Sequence, residues 1–171
     1  MACVSFTGGI SNDCSNNMGG ITKLYITDFA NITTLTSSAG TVSAITMATG
    51  SVFYQFAFNR NSAAFTEDLV KSVEAGSSLF EQTITVKIPR REVVKRNTLA
   101  LLTMRDVAVI IKDSNGLYWL PGEIEGMYLS EQKSTSGTAK ADGSSYDLTL
   151  KGFEVSQCSA IAAATVAGII A

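Results

Sequence analysis

The sequence lacks residues on which much enzyme chemistry depends. Its 171 residues include no histidine, so the usual general base and a common metal ligand are both missing. Charge is scarce too: charged residues make up 16% of the chain, and the net charge is −2. A general nucleic-acid binder normally has a strong basic excess, so this balance argues against that class. Few charges suit a protein whose exterior is largely covered by partners.

Cysteine is also rare. Cys3, Cys14 and Cys158 are an odd number and form no Cys-x-x-Cys spacing, so we expect reduced thiols rather than a disulfide framework.

Glu123 and Glu125 would point the same way on a strand, whereas a general acid–base pair needs carboxylates in different environments. We expect a protein that is not an enzyme and has no catalytic, cofactor-binding or metal-binding residues.

Neither end of the sequence resembles a targeting segment. The final residues 159–171 (SAIAAATVAGIIA) are apolar but shorter than the roughly 20 residues that a membrane span needs. We therefore expect no membrane span. The apolar C-terminal tail (156–171) is expected to bury itself against protein. Since an isolated subunit would expose it, we also expect it to contribute to assembly.

The residues that are present predict a β-rich chain. In Leu79–Ile88, Glu81, Thr83 and Thr85 alternate with apolar side chains, which is typical of a strand with one buried face. Residues 60–77 fit either a long hairpin or an extended loop. Asn115-Gly116 is a strong hairpin signal. The other predicted strands are Thr22–Phe29, Thr41–Met47, Val52–Phe58, Val107–Lys112, Leu117–Leu120, a kinked run over 121–130, and Tyr146–Val155.

One α-helix is predicted, from Pro89 to Met104, because proline is favoured in a first helical turn. Val94, Leu101 and Leu102 are predicted to form its core stripe. Four basic residues lie mostly elsewhere and are expected to face water or an adjacent subunit: Arg90, Arg91, Lys95 and Arg96. Glu92 interrupts this basic cluster, which favours that interpretation over a DNA-reading helix.

These patterns predict one domain over residues 1–171. It would comprise an N-terminal arm (1–21), a core (22–155) and the C-terminal tail. The expected fold is mainly β, an antiparallel β-sandwich or half-barrel with one flanking helix. The glycine, serine and asparagine content of the arm and of residues 60–77 gives them little core of their own, so we expect neighbouring subunits to order them.

Four stretches together resemble a family of small virion proteins from tailed phages of Bacteroidetes hosts. Each stretch has a motif in common with that family. In order along the chain, these are a Gly-Gly-Ile before the first strand, a Phe-Glu-Gln strand leading into a helix with Arg-Asn, an Asp-x-Asn-Gly hairpin carrying Tyr-Trp, and a Gly-Thr-Ala segment before the closing strand. The stretches are CSNNMGGITKLYITDFANI (14–32), SSLFEQTITVKIPRREVVKRNTLALL (77–102), VAVIIKDSNGLYWLPGEIEGMYLS (107–130) and SGTAKADGSSYDLTLKGFE (136–154).

The resemblance implies a structural protein of the virion, assembled in the host cytoplasm. The element order is similar to the phage tail-tube fold, which implies a major tail-tube subunit in stacked hexameric rings around a DNA channel. Partners would be further copies of itself and other tail or neck proteins, with DNA passing through non-specifically. The alternative is a head decoration protein or a neck (head–tail) adaptor.

A channel wall should not hold phosphates, because each lysine or arginine that contacts one strengthens DNA binding. We therefore expect acidic and hydroxyl side chains to line the channel. The candidate lumen-facing residues are Glu81, Thr83, Thr85, Glu123 and Glu125.

Overall fold

The computed structural model describes residues 8–10, 16–74 and 76–171. The predictions for Cys3, Cys14 and most of the N-terminal arm lie outside the described residues. The described residues form a mainly β fold, as predicted, with two sheets and two α-helices. The strands are β1 (Ile21–Asp28), β2 (Ile32–Ser38), β3 (Thr41–Met47), β4 (Tyr54–Phe56), β5 (Ala63–Ser72), β6 (Ser77–Pro89), β7 (Val107–Asp113), β8 (Tyr118–Leu120), β9 (Tyr128–Thr135), β10 (Ser145–Glu154) and β11 (Ser159–Ile161), and the helices are α1 (Val93–Leu102) and α2 (Ala163–Ala167).

The strands divide into a seven-stranded large sheet and a four-stranded small sheet. The order in the large sheet is β2-β3-β11-β8-β7-β1-β4, and in the small sheet it is β5-β6-β10-β9. All pairings in the small sheet are antiparallel. In the large sheet, the C-terminal strand β11 pairs parallel with β3 and antiparallel with β8.

The main hydrophobic core lies between the two sheets. Alternate residues of β1 and β7, such as Leu24 and Val109, meet the inward side chains of the small sheet, such as Ile84 and Leu150. All four are fully buried. Burial of a large aliphatic side chain contributes about 1.5–3 kcal/mol, so this layer is a principal source of stability.

A second core covers the other face of the large sheet. Tyr25 of β1 and Ile110 of β7 point into it, and Phe53 is fully buried there. The apolar residues that cover them come partly from the end of the chain, namely Ile161, Val166 and Ile169. Strands β1 and β7 are therefore buried on both faces.

The C-terminal tail is an integral part of the large sheet, which corrects the expectation that an isolated subunit would expose it. Its residues form β11 and α2. The amide of Phe53 donates to the Ile169 carbonyl oxygen over 2.9 Å, and the amide of Ala171 donates to the Phe53 carbonyl oxygen over 3.0 Å. The tail packs against its own chain because the second core would otherwise face water.

Helix α1 begins at Val93, not at Pro89. Pro89 is the last residue of β6, opposite Ser145 of β10, and Arg90 has a φ of 63°. This left-handed conformation interrupts both strand and helix. The ammonium of Lys95 donates to the carbonyl oxygens of Pro89 (2.7 Å) and Arg90 (3.2 Å), which holds the bend between β6 and α1. The short helix α2 was not predicted.

Candidate functional site: the outer face and edges of the small sheet

One face of the small sheet packs on the main core, and the opposite face, called here the outer face, meets solvent. Cross-strand partners show that it is continuous over four strands: Thr85 lies opposite both Ala64 and Thr149, and Thr149 lies opposite Glu131. The polar and small residues of the outer face include Ala64, Thr66, Asp68, Glu81, Thr83, Thr85, Lys87, Glu131, Lys133, Thr135, Asp147, Thr149 and Lys151. Four exposed apolar or aromatic residues also lie on this face: Val70, Leu79, Tyr128 and Phe153.

The predicted alternation of β6 is confirmed. Gln82, Ile84, Val86 and Ile88 are buried, whereas Glu81, Thr83 and Thr85 lie on the outer face. Their position at the wall of a channel remains a prediction.

The outer face has hydroxyl groups and mixed charge, without a basic excess. Its polar residues include four carboxylates and three lysines, so that set has a formal charge of −1. The carboxylates are Asp68, Glu81, Glu131 and Asp147, and the lysines are Lys87, Lys133 and Lys151. Such a surface has little net attraction for a polyanion.

One of these lysines is held by a neighbouring carboxylate. The Lys151 ammonium lies 2.5 Å from Oε1 of Glu81 across the β6–β10 pair. This hydrogen bond, together with the charge of Glu81, raises the pKa of Lys151 above its ordinary value. The lysine stays protonated, but its charge is already compensated, so it is less free to bind a phosphate.

The small sheet has two open edges. Among the described residues, β5 pairs only with β6, and β9 pairs only with β10. Because each strand in the order β5-β6-β10-β9 is antiparallel to the next, β5 and β9 run in opposite directions. An unpaired edge presents backbone donors and acceptors that can pair with another chain.

Strands β5 and β6 form a long hairpin, which is one of the two structures predicted for residues 60–77. Its apolar side chains are exposed: Leu69 by 58%, Val70 by 48% and Val73 by 84%. Leu69 lies opposite Phe80, and Val70 lies opposite Leu79. We call these five residues the hairpin tip. Exposed apolar patches of this kind commonly mark contact surfaces.

The predicted core stripe of α1 is largely wrong. Leu102 is buried, but Val94 is 76% exposed and Leu101 is 63% exposed. Leu99, which the sequence analysis did not select, is the other buried residue of the helix. Leu99 and Leu102 are three residues apart, so they share one face of the helix. Residues 94 and 101 lie on the opposite, open side.

The exposed side of α1 borders an apolar groove. The groove has a volume of about 330 Å³ and lies between the helix, β4 and the end of β6. We call it the helix groove, and its apolar lining includes Phe56, Ile88, Val94 and Leu99. Tyr54, also in the lining, is 57% exposed, and the strand predicted over Val52–Phe58 is shorter in the structure, Tyr54–Phe56. The buried aromatic is Phe53.

Glu123 and Glu125 do not lie on a strand, which corrects their assignment to the channel wall. Residues 121–126 form a loop, and β9 starts only at Tyr128. Gly122 and Gly126 have φ of 68° and 80°. A Cβ on Gly122 would lie 2.6 Å from the carbonyl carbon of Gly126, so the turn needs glycine there.

Two buried polar side chains of the small sheet anchor this loop. The amide of Gly122 donates to Oε1 of Gln82 over 2.8 Å, and the amide of Ile124 donates to Oε1 of Glu154 over 2.9 Å. Gln82 and Glu154 both point inward from the sheet. The loop therefore packs on the inner side, away from the outer-face residues Glu81, Thr83 and Thr85.

A further cleft of about 420 Å³ includes Glu67, Asp113, Trp119 and Cys158 in its lining. Burial raises the pKa of the Cys158 thiol, and the charge of Glu67 adds to this effect, so the nucleophilic thiolate is disfavoured. Oε1 of Glu67 accepts from the Cys158 amide over 2.7 Å and from Nε2 of Gln82 over 2.9 Å. Oδ2 of Asp113 accepts from Nε1 of Trp119 over 3.1 Å. These groups cross-link segments of the fold.

Within residues 8–10, 16–74 and 76–171, no group of three or more histidine, cysteine, aspartate or glutamate residues could hold a metal ion. Over the same residues, no helix is long and apolar enough to cross a membrane. Comparison with protein-family models, curated proteins and solved structures finds no match to this chain.

Proposed function

We propose that this chain is a structural subunit of a phage virion, the subunit of the tail tube, and that copies join edge to edge through the small sheet. One observation carries this proposal: the small sheet combines two open, oppositely directed edges with a solvent-exposed face whose charged residues are not net basic. The motif resemblance to tailed-phage virion proteins supports the same function.

The open edges provide a route to a closed ring. When copies are related by rotation, β9 of one subunit meets β5 of the next, and the two run antiparallel, so the pairing pattern of the sheet continues across the contact. This contact is heterologous, and heterologous contacts close into a ring when the rotation permits. A ring also removes the exposed edges, which would otherwise favour uncontrolled association.

The size of such a ring suits a DNA channel. Six copies of the small sheet contribute 24 strands, which at about 4.8 Å per strand give a circumference of about 115 Å and a backbone diameter of about 37 Å. In this arrangement the outer face of the small sheet lines the bore. The main core, the large sheet and the second core lie behind the small sheet, on the exterior of the barrel.

The chemistry of the outer face suits the passage of DNA without retention. A bore lined with unpaired lysines would release counterions from DNA and bind it in a salt-dependent manner. Here Glu81 holds Lys151, and Asp147 lies opposite both Lys87 and Lys133 in the strand register, although the described residues show no ion pair for these two lysines. The proposed mechanism is geometric: the wall confines the DNA and offers few strong contacts.

The first test is electron microscopy of the purified full-length chain. We expect hollow filaments built from six-fold rings. Closed rings or trimers that never stack would instead favour the alternative, a head decoration or neck protein. A chain that remains monomeric at high concentration would contradict edge-to-edge assembly.

A second test blocks the β9 edge. Neighbouring residues of an edge strand direct their N–H groups alternately toward and away from the paired strand, and proline removes this donor. Gln132→Pro and Lys133→Pro therefore differ: one removes a bond to β10 and the other removes an outward donor. We expect the variant that keeps the thermal stability of the monomer to lose ring formation. Rings formed by that variant would overturn the proposed edge pairing.

A further inference from the structure

We infer that the hairpin tip of one copy docks into the helix groove of a copy in the next ring, and that this contact stacks the rings. The inference rests on the proposed function and goes beyond it, because edge pairing explains how a ring closes but not how rings join. It identifies a second interface on a different part of the subunit.

The hairpin tip needs a partner. Its apolar side chains lie on both faces of the hairpin: Leu69 and Phe80 form a cross-strand pair on one face, and Val70 and Leu79 form a pair on the other. Val73, in the connection, is 84% exposed. A cluster exposed on two faces is better covered by a concave surface than by a flat one.

The helix groove offers such a surface. It is lined by Phe56, Ile88, Val94 and Leu99. The apolar surface continues into a neighbouring cleft that shares Tyr54 and Phe56 with the groove and is also lined by Leu101, which is 63% exposed. A partner's hairpin tip that entered the groove would therefore bury apolar surface on both molecules.

Charge complementarity identifies the occupant as a second copy. Residues 68–74 of the hairpin carry Asp68, Lys71 and Glu74, all exposed, with a formal charge of −1. The groove is lined by Lys95, and residues 90–96 around it carry four basic residues and Glu92, a formal charge of +3. Arg90 is paired with Glu92 at 3.0 Å. An acidic, apolar hairpin fits a basic, apolar groove.

The two surfaces lie at opposite ends of one strand. Leu79 of the hairpin tip and Ile88 of the helix groove both belong to β6. Nine residues separate them, which corresponds to about 30 Å along an antiparallel strand. A subunit cannot place its own tip in its own groove, but a copy displaced along the strand direction can. Repeating this head-to-tail contact produces a stack that does not close.

The test compares Val73→Asp, Val94→Asp and the control Leu117→Asp in the full-length chain. All three residues are exposed apolar side chains, so the substitutions should leave the subunit folded. Leu117 belongs to neither proposed surface. In electron microscopy we expect Val73→Asp and Val94→Asp to form single rings that no longer stack, and Leu117→Asp to form normal filaments. Normal stacking by both variants would overturn the inference. The absence of rings in the unmodified chain would instead contradict the proposed function.

A cross-linking experiment tests the contact directly. Val73→Cys and Val94→Cys variants are mixed under oxidising conditions, so a disulfide between positions 73 and 94 can form only between two copies. Mass spectrometry of the peptides distinguishes it from disulfides of the native cysteines. We expect this cross-link in stacked filaments and its loss in separated rings. Cross-linking of position 73 to other sites alone would assign the hairpin tip to a different surface.

Discussion

The large and small sheets bury their strands in different ways. In the large sheet, β1 and β7 have apolar side chains on both faces, because the main core covers one side and the C-terminal residues cover the other. In the small sheet, β6 and β10 are buried on one side only. The large sheet thus stabilises the fold, and the small sheet retains a free face and two free edges for assembly.

The largest expected effect comes from removing the cover of the large sheet. A chain ending at Cys158 lacks Ile161, Val166 and Ile169, all buried in the second core. At about 1.5–3 kcal/mol for each side chain, the loss is about 5–9 kcal/mol, comparable with the total stability of many domains. We expect no cooperative thermal unfolding transition by circular dichroism.

The control for this truncation is Ala164→Ser, which changes an exposed residue of α2. It should unfold like the unmodified chain. A truncated chain that unfolds at the normal temperature would contradict the structural role of the tail and restore the idea that it acts mainly in assembly.

The next effect concerns α1, where burial differs between residues two positions apart. Leu99→Ala should cost about 2–5 kcal/mol, because it leaves a cavity in the main core. Leu101→Ala should change the free energy of unfolding by about 0.5 kcal/mol or less, because the side chain is largely exposed. Urea denaturation of both variants measures this difference. Equal losses would mean that the helix is rotated from its position in the structure.

This helix also shows where the sequence is insufficient. Its apolar residues occur on two sides, so periodicity alone does not decide whether Val94 and Leu101 or Leu99 and Leu102 face the core. In the structure Leu99 and Leu102 are the buried pair, and the left-handed φ of Arg90 delays the start of the helix to Val93. No residue type in that segment predicts a left-handed arginine.

Local patterns succeed where the fold is regular and fail where distant contacts shape it. The alternation of β6 predicted its inward and outward residues correctly, because period two fits a strand with one buried face. Glu123 and Glu125 have the same spacing, but their loop is shaped by Gly122 and by contacts with the distant residues Gln82 and Glu154. The apolar composition of the tail correctly predicted that it is buried. It is buried against its own chain, however, and not against a neighbouring subunit.

A smaller, pH-dependent effect is expected at Glu154, which joins the small sheet to the loop 121–126. Burial raises the pKa of this carboxyl above its ordinary value of 4.5, although hydrogen bonds from the amides of Ile124 and Glu125 act in the opposite direction. The folded chain therefore holds the proton more tightly than the unfolded chain does. This contribution to stability is present below about pH 4.5 and is lost as the pH rises through the raised pKa.

Glu154→Gln keeps an oxygen that can accept from both amides but cannot ionise. Relative to the unmodified chain, its melting temperature should therefore increase between pH 4 and pH 7. The change should be smaller than the effect of Leu99→Ala. Glu131→Gln, at an exposed carboxyl of the outer face, is the control and should show no such trend. A constant difference across this pH range would show that Glu154 does not titrate differently in the folded state.

The smallest effect on stability, but an informative one for function, is expected from Glu81→Gln on the outer face. The variant removes the partner that raises the pKa of Lys151. Thermal unfolding should hardly change, because the ion pair lies at the surface. In an assembled ring, however, each subunit would present Lys151 to the bore without its partner, in addition to Lys87 and Lys133, for which the described residues show no ion pair. Assembled tubes should then retain short duplex DNA more strongly, and the logarithmic salt dependence should steepen by about 0.9 for each new phosphate contact.

Glu131→Gln is the matched control for this experiment, because it removes a carboxylate from the same face, where the described residues show no ion pair for Glu131. If both variants retain DNA equally, the total charge of the face matters and the pairing of Lys151 does not. If neither changes retention while Arg91→Ala reduces it, DNA meets the basic side of α1. The outer face would then lie on the exterior of the assembly, and the small sheet would serve closure of the ring without forming the wall of the channel.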